Sequence, residues 1–273
     1  RLLNRTNYKI RLTHDVDKLK GYNRIFDPIK NTMGDIFKRR NLTKAFTRIK
    51  DSYFSGAPWR SFKEIMALSE KYGHISHFYF IGPSEYYMDS PYAIYMVPLL
   101  RKIAKEVEKL GHNVGFHPGA RTFDNPDIWN YQHSKLQEIL DCELIEGRQH
   151  NLFYRSDITP DIWDKAGMKY DFTLGFPEKS GFRSGTCRPF RSYSLKNRKK
   201  LNLLQSSTAI MDFGLFGGKY RDLDLDTAIN ECLKINEVCK NFGGELVILY
   251  HTDWELSFKK MRNFYNLLLS EIS

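Results

Sequence analysis

No stretch of the 273 residues approaches the apolar length that a membrane span requires. The opening residues Arg1-Leu2-Leu3-Asn4-Arg5 carry no apolar signal segment, so the chain reads as cytoplasmic. Cysteine is scarce. The four present are Cys142, Cys187, Cys232 and Cys239, and no two of them have the spacing of zinc ligands. Cys142, Cys232 and Cys239 sit in helix-like apolar settings, which points to free buried thiols in a reducing compartment rather than a disulfide framework. Internal repeats, low-complexity tracts and linkers are also missing, so a solenoid or a string of modules is excluded. What remains is one unit covering residues 1–273, with 41% hydrophobic residues to build its core.

Charge is the first positive feature. A net charge of +10 invites an anionic partner. Much of it lies in residues 18–55, where Lys18, Lys20, Arg24, Lys30, Lys38, Arg39, Arg40, Lys44, Arg48 and Lys50 face only Asp27, Asp35 and Asp51. Apolar residues recur there at helical spacing (Ile25, Phe26, Ile29, Met33, Ile36 and Phe37, then Phe46, Ile49 and Tyr53). The pattern predicts two basic amphipathic helices inserted after the first strand. They read either as a solvated flap over the rest of the fold or as a surface touching anionic lipid at the inner face of a membrane. Nucleic acid is not expected, because no recognition motif accompanies the charge.

The remaining chain alternates strand and helix. Strands are expected at 75–81, 113–117, 170–174, 206–213 and 245–250, with an extended segment at 147–154. Helices are expected at 61–72, 91–110, 131–145, 160–166, 223–242 and 257–269, and residues 179–194 read as a long loop. Such alternation implies an α/β fold with parallel strands joined by crossovers, closed or nearly closed into a barrel. In a barrel the loops after the strand C-termini build the site. Polar residues collect at those positions: Asp15 and Asp17, His117, Arg148 and His150, Asp171, and His251.

The stretch Thr13-His14-Asp15-Val16-Asp17 ends the first strand. Alternation puts Asp15 and Asp17 on one side and His14 on the other. Two neighbouring carboxylates repel, and a cation between them removes that cost. An Asx turn capping local amides is the plainer alternative. Asp17 and His117 supply one oxygen and one nitrogen, a set that suits zinc or a similar divalent ion. Asp15 could then take a proton from water, Arg148 could pair with Asp15, and His251 could protonate a leaving group. His117 could equally bond a turn carbonyl, and Arg148 could be a surface ion pair. His14 and His112 read as structural, and His133 as solvated.

The set Thr13-His14-Asp15-Val16-Asp17, Gly111-His112-Asn113-Val114-Gly115-Phe116-His117-Pro118, Gly147-Arg148-Gln149-His150 and Leu249-Tyr250-His251-Thr252-Asp253-Trp254 resembles the polysaccharide deacetylase family, the NodB-type carbohydrate esterases. The stretches at 170–176 and 181–190 resemble a bacterial subgroup of it. The resemblance implies a distorted (β/α)7-type barrel with a helical insertion after the first strand. It also implies metal-dependent removal of N- or O-linked acetyl groups from a sugar or polysaccharide precursor, as in cell-surface polysaccharide biosynthesis. By that resemblance Asp15 is the catalytic base, Asp17 and His117 hold the metal, Arg148 orients the base and His251 is the general acid. The family places a second metal histidine four residues after the first, where this chain has Arg121. His150, beside Arg148 at the rim, is the candidate third ligand, and the ion is expected to be Zn2+. Arg121, Arg183, Arg188 and Trp254 are the candidate substrate contacts. Two further readings stand beside this one. One is a non-catalytic sugar-binding relative that stacks sugars on Trp59, Tyr86, Tyr87, Trp129 and Trp254. The other is a membrane-associated assembly protein working through residues 18–55. A lipid-linked saccharide would unite the enzyme with the membrane.

Overall fold

Nine strands form one curled sheet in the computed structural model, which describes residues 8–17, 19, 27–38, 40–49, 57–84, 89, 96–252 and 259–273. The strands are β1 (Lys9–Val16), β2 (Ser76–Ile81), β3 (Asn113–His117), β4 (Glu146–Gly147), β5 (Tyr170–Asp171), β6 (Phe190–Ser194), β7 (Lys199–Gln205), β8 (Thr208–Met211) and β9 (Glu245–Leu249). Their order is β6-β7-β5-β4-β3-β2-β1-β9-β8, and every pairing but β6 with β7 is parallel. An isolated parallel bridge joins Gly175, just past β5, to Thr208 at the start of β8, so the sheet curls back toward itself. The result is a mixed α/β architecture in which helices cover a curled, half-barrel sheet.

The central strands are rich in apolar residues because both faces are covered. Every residue of β2 and of β9 is buried. The helices are α1 (Asp27–Phe37), α2 (Leu42–Ile49), α3 (Ala57–Lys71), α4 (Val97–Lys109), α5 (Pro126–Leu140), α6 (Thr159–Lys165), α7 (Asp212–Phe216), α8 (Leu225–Phe242) and α9 (Lys259–Ile272). Local chemistry sets their ends. Asn125 caps α5 by accepting from the amides of Asp127 and Ile128, with Pro126 at the first turn. Asp224 caps α8 in the same way, and Gly243 closes it in the left-handed conformation at φ 58°. Helix α4 turns Leu100, Ile103, Ala104 and Val107 inward, the i, i+3, i+4, i+7 stripe of an amphipathic helix.

Two features position the site. Parallel pairing brings the C-terminal ends of β1, β2, β3, β4 and β9 to one rim. Close approach of β3 and β4 then aims the turn that succeeds β4: a Cβ at Gly147 would collide with the carbonyl oxygen of Phe116. The opposite end is closed by charge. Arg11 Nε donates to Glu245 at 2.8 Å, its Nη1 lies 3.4 Å from Glu146, and Glu146 also holds His77 Nδ1 at 2.5 Å.

Several sequence expectations are revised. Residues 190–205 hold a hairpin, β6 and β7, where the polar composition suggested a loop extending from 179 to 194. The strand expected at 206–213 stops at Met211, and Asp212 begins α7. His133 is buried rather than solvated, its Nε2 bonding the Leu144 carbonyl at 2.9 Å. Trp129 is a fully buried core residue beside Phe116 and Trp163, so it cannot stack a sugar. Among the described residues, no helix is long and apolar enough to cross a membrane.

Candidate metal centre and active site

Asp15 and Asp17 leave the end of β1 on the same side, as alternation requires, while His14 turns into the core. Burial drives the His14 pKa down to about 3, and its ring nitrogens lie 2.8 Å from the Tyr250 carbonyl and 3.1 Å from the Ser76 hydroxyl. It is a neutral structural residue. His112 is also structural: its Nδ1 accepts from the Ser76 amide at 2.9 Å.

His117 ends β3. Its Nδ1 lies 2.5 Å from the carbonyl oxygen of Arg148. A carbonyl only accepts, so Nδ1 carries the proton and Nε2 faces the carboxylates. That Nε2 stands 3.3 Å from Asp17 Oδ1 and 3.8 Å from Asp15 Oδ2. Burial opposes charge on His117, but Asp15 and Asp17 outweigh it and raise the pKa above the ordinary histidine value. Burial likewise works against ionised Asp17, yet contact with His117 and the charges of His117, His150 and His251 hold it below the usual carboxylate range.

His150 opens a 3-10 turn (His150–Leu152) just after β4. Its Nδ1 lies 3.0 Å from Oδ1 of Asp89, a fully buried carboxylate that also accepts from the Ala120 amide at 2.6 Å and from the Ser84 hydroxyl at 2.5 Å. Asp89 therefore fixes the imidazole with Nε2 directed away from it, the usual arrangement behind a metal-bound histidine. Gly119 makes room: a Cβ there would strike the Asp89 carboxylate. One ligand atom from each of Asp17, His117 and His150 lies within 4.8 Å of the others. Asp17 Oδ1 is buried and receives no well-formed hydrogen bond. A buried carboxylate oxygen converging with two imidazole nitrogens is a donor set that fits a divalent cation of the borderline class.

Arg148 lies beneath this cluster, fully buried. It donates from Nη1 to Asp15 Oδ1 at 2.7 Å and from Nη2 to Thr13 Oγ1 at 2.7 Å. Its Nε serves Phe172 O at 3.2 Å and Thr208 Oγ1 at 3.1 Å. A guanidinium with all three nitrogens engaged is a fixed support, not a mobile surface ion. The plainer reading of Arg148 as a surface pair is thereby removed.

His251 follows β9. Its Nδ1 lies 2.7 Å from Asp212 Oδ1, and its backbone amide donates to Asp212 Oδ2 at 2.7 Å. Burial alone would lower its pKa, but Asp212, then Asp17 and Asp15, bring it up to about 10. Asp15, Asp17, His117, His150 and His251 all line one cavity of about 680 Å3, whose other walls include Leu152, Met211, Phe213, Leu249, Lys219 and Tyr220.

Other candidates fall elsewhere. Arg121 is exposed and lines a separate shallow groove with Phe123, Asp124 and Asn125, divided from the cavity by Phe153, which borders both. Arg183 spends Nη1 on the carbonyls of Leu152 and Gly175, both at 3.3 Å, and so braces the cavity wall from behind. Arg188 donates to the Phe242 carbonyl at 2.7 Å, beside the start of β9 and thus at the end of the sheet away from the rim. Trp254, Tyr86 and Tyr87, and the side chain of Trp59, lie outside the described residues. Asp89 and Asp212 are absent from the sequence-based set. The only sequence signal for either was a carboxylate near a histidine in the fold, which a linear reading does not supply.

No family model matches the chain, and no curated protein matches it in sequence. Solved structures do resemble it. A Mycobacterium smegmatis protein described as a "putative polysaccharide deacetylase" superposes with a TM-score of 0.62 at 12% identity, covering 98% of this chain and 85% of that one. At 12% identity this likeness establishes a shared fold. Two mutants of a CE4 family pseudoenzyme, one with restored enzymatic activity, give TM-scores of 0.48 and 0.49 at 10% identity. They cover 98% of this chain and 64% and 63% of theirs.

Proposed function

We propose that the chain is a metal-dependent carbohydrate deacetylase of the polysaccharide deacetylase family, with a distorted (β/α)7-type barrel and a metal motif in which His150 takes the place of a histidine at position 121. The observation that carries the reading is the convergence of Asp17, His117 and His150 within 4.8 Å around a buried, unsatisfied carboxylate oxygen. Asp17, His117 and His150 would hold Zn2+, and Asp89 would orient His150. When bound, the ion supplies an acidified water and polarises the acetyl carbonyl.

The chain's own groups do the rest. Asp15, clamped by Arg148, accepts the proton of the attacking water. His251, kept protonated by Asp212, gives its proton to the departing sugar nitrogen or oxygen. The C–N or C–O bond of the acetyl group breaks, acetate leaves, and the two protonation states are restored by exchange with water. The saccharide lies in the cavity against Leu152, Met211, Phe213 and Tyr220, whose apolar surfaces suit sugar ring faces and keep bulk water out.

The test is acetate release from acetylated amino sugars and their oligomers by the zinc-loaded chain, with Asp15→Asn as control. Activity lost on chelation, restored by zinc and absent in Asp15→Asn supports the reading. Tight zinc binding with no acetate released from any such substrate would overturn it.

A further inference from the structure

Helix α1 is built inside out. Its polar residues Thr32 and Asp35 are buried, while Ile29, Met33, Ile36 and Phe37, a stripe at i, i+4, i+7 and i+8, face solvent. Helix α2 packs on α1 and repeats the pattern: Ala45 is buried, and Leu42 and Phe46 are exposed. Phe37, Leu42 and Phe46 are each 70–72% exposed. A soluble surface rarely carries this many large apolar side chains on two adjoining helices unless something covers them.

The charge of the same segment says what covers them. Lys30, Lys38 and Arg40 are exposed around the apolar stripe, and the sequence adds Arg39, Lys44 and Arg48. The one acidic side chain described there, Asp35, is buried. A protein partner would need an apolar patch ringed by acid. A bilayer rich in anionic lipid offers both an acyl boundary and a negative surface over any area. We propose that α1 and α2 form a peripheral docking surface that lays the Ile29–Phe46 apolar face into the headgroup region of an anionic membrane, with the lysines and arginines on the lipid phosphates. The pair follows β1 directly, on the chain that leaves the rim at Asp17, so docking would tether the chain close to the strand end that carries the candidate metal centre. The proposal stands on the two helices and does not depend on the deacetylase reading.

Co-sedimentation of the full chain with phosphatidylcholine vesicles, with and without phosphatidylglycerol, tests it. Binding is expected only with phosphatidylglycerol and should weaken as salt is raised. The triple change Lys30→Ser, Lys38→Ser, Arg40→Ser should reduce partitioning about hundredfold, from about 1 kcal/mol per cation near the surface. The pair Phe37→Ser and Phe46→Ser should reduce it at least tenfold. These positions are exposed, so circular dichroism and the melting temperature should not change in either variant, and the two variants probe charge and apolar contact separately. Failure to bind phosphatidylglycerol vesicles at low salt overturns the proposal. So does a concentration-dependent dimer that the phenylalanine variant disperses while wild type ignores vesicles, since a second copy would then be the cover.

Discussion

Asp89 Oδ1 and His150 Nδ1 lie 3.0 Å apart, and the aspartate is wholly buried. This contact turns a histidine on a short turn into a fixed nitrogen donor. Replacing Asp89 by Ala removes the acceptor and frees the ring. Zinc affinity measured by calorimetry should fall about 10–100-fold, the usual cost of losing such an outer partner. Gly119→Ala should act in the same direction, because the new methyl would occupy the space of the carboxylate. Unchanged affinity in both variants would mean that His150 is not a ligand.

Zinc binding should release protons. His117 in the metal-free chain has a raised pKa, so near and below neutral pH a proton competes with the ion for Nε2. Affinity should therefore decline as pH falls through that raised value. Calorimetry in buffers of different ionisation enthalpy would read the proton count directly, and a buffer-independent heat would contradict the assignment of His117.

The proton on His251 is held by Asp212. Its folded pKa of about 10 exceeds the unfolded value, so the stability it contributes is complete below about 6.5 and disappears as pH rises through about 10. Catalysis should follow the same limb, since a general acid works only when protonated. Asp212→Asn should move the alkaline limb of the kcat profile toward the ordinary histidine range and lower kcat at pH 8. A limb that stays in place would assign the acid to another group.

Arg148 is the support with the greatest structural cost. Arg148→Met would leave the buried Asp15 carboxylate without its guanidinium partner, a loss of about 3–5 kcal/mol. For a chain of this size the melting temperature should drop by about 10 °C, which scanning calorimetry would show. A much smaller loss would mean that water reaches Asp15 from below.

Much of the arrangement was legible in the sequence, for identifiable reasons. Strand 113–117 reads correctly because Gly111 and Pro118 punctuate it, and β9 because Leu246 to Leu249 is a short apolar run after Gly244. Alternation along β1 correctly separates His14 from Asp15 and Asp17. The hairpin of β6 and β7 escapes because Lys199-Lys200-Leu201-Asn202-Leu203 alternates on a surface strand with too many charges to stand out from a loop. Asp212 is hidden at a strand-to-helix junction, where an apolar run continues on either side of it. Asp89 lies in Ser84-Glu85-Tyr86-Tyr87-Met88-Asp89-Ser90-Pro91, a stretch that mixes aromatic and polar residues with no clear periodicity. Arginines attract attention as substrate contacts, but Arg183 and Arg188 spend their donors on backbone carbonyls, a use that no sequence pattern distinguishes.

The three donor atoms reach the cluster from three separate strand ends, those of β1, β3 and β4. An ion held there would pin three crossovers that are otherwise joined by the sheet's hydrogen bonds and by side-chain contacts such as Arg148 with Asp15 and Gln149 with Gly119. Its withdrawal should loosen the rim and not the core. Limited proteolysis of the chelated chain should then nick the loops after these strands long before the protein melts.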